Sequence, residues 1–140
     1  MSRIFWDTNL FIYLFEENPR FSKQVMELRR KMLERQDELV TSAMTLAEIQ
    51  VAPRRAGDLK LAAHYRDAIR RVSRVVPFDE GAADRFAELR VNPSIKPADA
   101  IQLSCAAMAA VTIFITNDLR LTSLRIPGID FVTTMDRLPF

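Results

Sequence analysis

Residues 99–118 read DAIQLSCAAMAAVTIFITND, and the way this stretch is divided decides the fold. The segment between Asp99 and Asp118 carries no charge and approaches the length of a membrane span. Its composition changes midway, however. The first part is rich in alanine, with Gln102 and Ser104 among the apolar residues; the second, Val111 to Thr116, is β-branched. The stretch therefore reads as a buried helix followed by a buried strand, not as one spanning helix. Pro97 suits the first turn of that helix, which is expected to run to about Ala109. A strand buried on both faces next to a buried helix is the mark of a parallel α/β sheet.

Working outward, the same alternation recurs. Arg3 to Trp6, Glu38 to Ser42, Ser73 to Pro77 and Phe131-Val132 are the other expected strands. Helices are expected over Leu10 to Glu16, Phe21 to Gln36, Thr45 to Val51 (stopped by Pro53), Asp58 to Val72 and Glu80 to Arg90. With only three glycines and no repeat or low-complexity tract, long flexible connections are not expected. Right-handed βαβ units give a three-layer α/β/α sandwich around a mostly parallel sheet, here as one domain over residues 1–140.

Composition narrows the class. Hydrophobic residues make up 49% of the 140, enough for a core without covalent staples. Cys105 is the sole cysteine, which excludes an intrachain disulfide framework and a Cys-rich zinc scaffold. The first residues do not read as a signal peptide, so a reducing cytoplasm is the expected compartment and no membrane partner is expected. A net charge of +2 permits a nucleic-acid partner without requiring one.

Ligands of parallel sheets bind beyond the carboxyl ends of the strands. Asp7 follows the first expected strand, Glu48 lies shortly after the second, and Asp118 follows the Val111–Thr116 strand. Asp99 opens the helix leading into that strand. Each acid has a simpler reading. Asp7 and Asp118 cap the turns that follow them, Asp99 complements a helix dipole, and Thr45-Leu46-Ala47-Glu48 matches a capping box. Their common topological position argues for convergence in one cleft, with no cation evident in the sequence to neutralise them. An all-oxygen cluster of this kind suits Mg²⁺ or Mn²⁺ and phosphoryl-transfer chemistry. Glu48 and Asp118 remain open as second-metal ligands or as the general base.

Other residues carry less. His64, the sole histidine, reads as an ordinary helix residue, and Cys105 as a small buried one. Arg66, Arg70, Arg71 and Arg74 form a basic row, a solvated face or a contact for RNA phosphates. Lys96 is placed either in a loop or near a phosphate. Phe5 and Trp6 read as sheet core. Met44, Leu46, Ile49 and Val51 are core or part of a groove for a partner helix.

Four segments together resemble the PIN domain, and in particular VapC-type toxins of prokaryotic toxin–antitoxin pairs. They are Phe5 to Tyr13 (FWDTNLFIY), Ser42 to Ile49 (SAMTLAEI), Lys96 to Leu103 (KPADAIQL) and Phe114 to Leu119 (FITNDL). The resemblance implies that Asp7, Glu48, Asp99 and Asp118 form the acidic quartet, with Asp7 and Asp99 foremost as metal ligands. It implies that Thr8, Asn9, Thr116 and Asn117 order the site. It implies Mg²⁺- or Mn²⁺-dependent RNA cleavage, a homodimer, and a cognate antitoxin that blocks the site. The alternative is a PIN-like module that grips RNA or a protein without cutting. A dehalogenase-type site would need a second acid where Asn9 stands, and a receiver domain would need paired early acids and a late lysine.

Overall fold

A computed structural model describes the whole of Met1–Phe140. Five strands, β1 (Arg3–Trp6), β2 (Glu38–Ser42), β3 (Arg74–Val76), β4 (Ile113–Ile115) and β5 (Phe131–Thr133), form one sheet in the order β3-β2-β1-β4-β5. Every pairing is parallel, with Phe5 opposite Val40 on one side and Phe114 on the other. The strand order reverses at β1. Its carboxyl end, and that of β4 beside it, form the topological switch point where such sheets leave a crevice.

Seven α-helices connect the strands: α1 (Thr8–Phe15), α2 (Ser22–Arg35), α3 (Ala43–Ile49), α4 (Val51–Arg55), α5 (Leu59–Val72), α6 (Glu80–Arg90) and α7 (Pro97–Met108). Alternate strand residues feed two separate cores. Ile4, Trp6, Leu39, Ile113 and Ile115 pack with α1, α2 and Ile69 of α5. Phe5, Val40 and Phe114 pack with Ala82 of α6 and the alanines of α7, the Phe5 and Phe114 rings stacking at 4.8 Å. The three-layer α/β sandwich expected from the sequence is what forms. No helix is long and apolar enough to cross a membrane; the uncharged stretch divides into α7 and β4, as its composition indicated.

Three local expectations are corrected. The helix expected over Thr45 to Val51 begins at Ala43, because Ser42 caps it by accepting a hydrogen bond from the Met44 amide at 3.1 Å. Pro53 does not end helical structure. It lies in the first turn of α4, where its missing N–H has no bond to make. The basic row breaks at the end of α5: Arg74 is on β3, 3.7 Å from Glu38, and Arg66 pairs with Asp67. His64 is exposed on α5 and Cys105 fully buried on α7, as expected.

Candidate active site

The chain leaves β1 at Trp6 and turns directly into α1. Asp7 caps that helix by accepting from the Thr8 amide at 2.8 Å, and its own amide donates to the Ile115 carbonyl at 3.0 Å. The carboxylate is thereby fixed over the end of β1, leaning on β4. Thr116, one residue past β4, donates its hydroxyl to Asp7 Oδ2 at 3.0 Å and accepts the Asp118 amide at 3.1 Å. The cap reading of Asp7 is thus correct, and the cap is also what aims the acid.

Asp7, Glu48 and Asp99 line a single cleft of about 310 Å³ together with Thr8, Asn9 and Gln102. Asp99 reaches it from the first turn of α7, so the helix does start at the strand ends. Asp118 does not line the cleft but is near enough for its charge to act on Asp99. Asn9 is a lining residue and Asn117 is not; the Asn117 amide instead donates to the Tyr13 hydroxyl at 2.9 Å.

The Thr45–Glu48 capping box does not form. Thr45 is fully buried within α3, and the Glu48 carboxylate accepts from the Thr8 hydroxyl at 2.7 Å. Beneath the two acids lies a polar network that the sequence reading missed. The Ser42 hydroxyl donates to Gln102 Oε1, and Gln102 Nε2 donates to Thr8 Oγ1 and Thr45 Oγ1, both at 2.9 Å. Thr41 lies 2.8 Å from Thr45 Oγ1 and 3.0 Å from the Trp6 carbonyl. A hydroxyl has one proton to give. Thr8 gives its proton to Glu48, so the 3.1 Å contact between Thr8 and Thr45 must run from Thr45 to Thr8. The chain of donors therefore runs one way and ends on the Glu48 carboxylate. The available signal was Gln102, a long polar side chain in an otherwise small and apolar helix, one turn beyond Asp99.

Electrostatics separate the four acids. Burial pushes the Asp7 carboxyl up to about 6; hydrogen bonds from Thr116 and Thr8 oppose this, while the charges of Asp99 and Glu48 add to it. Asp99 also lies above its ordinary range, through burial first and the Asp118 charge second. Asp118 is held below its ordinary range by the hydrogen bond from Arg120, whose guanidinium reaches it at 2.6 Å. Arg120 is a neutralising cation not evident in the sequence, and it serves Asp118 while Asp7 forms no ion pair.

The donor set is all oxygen, which fits a hard divalent ion. Asp7, raised by burial first and by two like charges after it, has no cation beside it, whereas Arg120 and Lys96 act on Asp99 and Asp118. No three of these side chains are gathered tightly enough to form a metal-holding group by themselves. Mg²⁺ is commonly held through one or two carboxylates with water and substrate phosphate completing its shell; Asp7 and Asp99, which line the same cleft, are the carboxylates that would offer it.

A parallel sheet with carboxylates gathered at its switch point defines a class of acidic α/β folds. A sequence model of the PIN domain matches residues 4–126, and the chain belongs to that family. No curated protein matches it. Among solved structures, DNA-bound VapBC from Salmonella typhimurium superposes with a TM-score of 0.74 at 20% identity, covering 96% of this chain and 99% of that one. VapBC2 from Rickettsia felis, bound to a promoter DNA fragment, gives 0.71 at 19%, covering 94% and 98%. VapBC-5 from Mycobacterium tuberculosis gives 0.63 at 17%, covering 96% and 99%. At these identities the likeness is one of fold.

Proposed function

We propose that the chain is a divalent-metal-dependent endoribonuclease acting as the toxin of a type II toxin–antitoxin pair. The observation that carries this reading is Asp7, a carboxylate raised to about 6 by burial among like charges at the switch point of a PIN fold. A purely structural acid in that position gains nothing from such company. Asp7 and Asp99 would hold Mg²⁺ or Mn²⁺, which supplies Lewis acidity toward a phosphate oxygen and toward water. The water oxygen would add to phosphorus as the bond to the leaving ribose oxygen breaks, and that oxygen takes up a proton from solvent to leave as a hydroxyl. Glu48, held by Thr8, or Asp118 takes the water's proton. Thr8 and Thr116 position the acids, and Asn9 faces the same cleft.

The similar structures named above are of toxins with antitoxins, and this supports an antitoxin partner for this chain. An arginine supplied by such a partner would meet the countercharge that Asp7 lacks. A homodimer in the reducing cytoplasm, as a single PIN domain, completes the reading. The test is cleavage of RNA by purified protein freed of partner, over a range of Mg²⁺ and Mn²⁺. Loss of cleavage in chelator and in Asp7→Asn supports the proposal, and intact RNA under all conditions overturns it. The non-cleaving alternative rests on Asp118, which is engaged by Arg120. If Arg120→Ala also fails to cleave yet binds RNA, that alternative takes precedence.

A further inference from the structure

A second cleft, of about 520 Å³, is lined in part by the loop that follows β4, and the proposed chemistry leaves it unused. Arg20, Phe21, Asn117, Leu119, Thr134 and Asp136 line it. Asn117 stands between Thr116, which holds Asp7, and Asp118, so one short loop serves both the carboxylate site and this cleft. Arg20 and Asp136 bear opposite charges in one cavity, yet no ion pair joins them, and Arg20 pairs with no other acid. The Arg20 guanidinium instead lies over the Phe21 ring at 4.9 Å, and Phe21 stacks on Tyr13 at 4.7 Å. A guanidinium stacked on a ring uses its face and keeps its in-plane N–H donors free. The Asp136 carboxylate accepts from the Thr134 hydroxyl at 2.6 Å, which fixes one oxygen and leaves other lone pairs open. The Tyr13 hydroxyl, at the far end of the stack, receives the Asn117 amide and so ties this cleft to the loop after β4.

We propose that this cleft binds a guanine base of the RNA, next to the phosphate held at the carboxylate site. Guanine alone among the four bases presents two adjacent donors, N1–H and the N2 amino group, to match a carboxylate. It also carries acceptors, O6 and N7, that match an arginine. Adenine and cytosine offer a carboxylate one amino group each, and uracil only a ring N–H. Arg20 and Asp136 are thus specificity determinants: Asp136 takes the two donors and Arg20 donates to the acceptor edge.

This inference rests on the nuclease reading for its neighbouring phosphate, so binding and cleavage are measured separately. Binding uses the full chain carrying Asp7→Asn and fluorescent oligouridine probes with a single guanine, inosine or adenine. Inosine lacks only the N2 amino group. The guanine probe should bind roughly 10- to 100-fold more tightly than the adenine probe, with inosine between them. Adding Asp136→Asn or Arg20→Ala should flatten that order while leaving the weaker, salt-dependent binding. Equal binding of all probes, or a preference that survives both substitutions, overturns the proposal. Guanine-selective binding without metal-dependent cleavage by the unsubstituted chain upholds the cleft and removes the nuclease. Cleavage without guanine preference does the reverse.

Discussion

Asp37, just before β2, and Asp7, just after β1, lie at opposite ends of the sheet, and their neighbours differ in kind. The Asp37 side chain is fully buried, yet it accepts from the Ser2 amide and the Arg35 guanidinium, both at 2.8 Å, with the terminal ammonium 3.8 Å away. Asp7 receives only neutral donors, from Thr8, Thr116 and at 3.5 Å from Gln102, and it faces two further acids. One carboxylate is charge-paired within the chain; the other is not. Burial alone separates structural from functional acids poorly, and the sign of the surrounding charge separates them well.

Asp7→Asn should break the comparison most sharply. RNA cleavage should fall by roughly a thousandfold or more, because a metal ligand is worth several kcal/mol of transition-state stabilisation. The same substitution should stabilise the metal-free fold. Folded Asp7 holds its proton up to about pH 6, whereas the unfolded chain releases it near 3.8. Native protein therefore binds the extra proton in that window, and stability falls as pH rises from about 4 to 6. Above it the full cost, about 3 kcal/mol, is present. Denaturant melts in chelator should show the substituted chain more stable at pH 7 and little different at pH 4. A lower stability at pH 7 would refute the electrostatic account.

Gln102→Leu keeps the volume and removes the junction of the donor chain. Unfolding free energy should drop by about 2–3 kcal/mol as buried hydroxyls lose partners. Metal affinity by calorimetry should weaken about tenfold or more, as when partners of metal ligands are lost. Asp37→Asn should cost about 2 kcal/mol, since hydrogen bonds to a charged group are lost beside a half-exposed Arg35. It should leave metal affinity unchanged; a change there would merge the two ends of the sheet into one electrostatic system. The smallest effect is expected for Arg120→Ala. Melting should be unaltered, while apparent Mg²⁺ affinity rises modestly as Asp118 is released.

Much of the fold was legible because hydrophobic runs and breakers act locally. The change from alanine to β-branched residues at Val111 marked the boundary of α7 and β4, and helix α6 forms over the residues expected. Of the four acids read from the sequence, Asp7, Glu48 and Asp99 line one cleft at the strand ends, and Asp118 stands outside it on Arg120. What local pattern could not show was which partner each polar group would choose. Thr45 and Glu48 have the spacing of a capping box, but Ser42 reaches the helix end first, and the tertiary partner Thr8 claims Glu48. Arg120 lies two residues from Asp118 on a tight turn and still escaped notice as its counterion, because only backbone geometry folds it back. The buried hydroxyls of Thr41, Ser42 and Thr45 gain meaning only once Gln102 arrives from a distant helix.

That last arrival has a consequence for synthesis. β1 is flanked by β2 on one side and by β4, made more than a hundred residues later, on the other. Gln102 closes the donor chain, and Thr116 steadies Asp7 only when β4 is in place. A nascent chain that has released only its first hundred residues holds Asp7, Thr8 and Glu48 without Gln102 beneath them and without the Thr116 hydroxyl on Asp7. Assembly of the site therefore waits on residues made long after the acids themselves: the network under Asp7 and Glu48 closes only once α7 and β4 have joined β1.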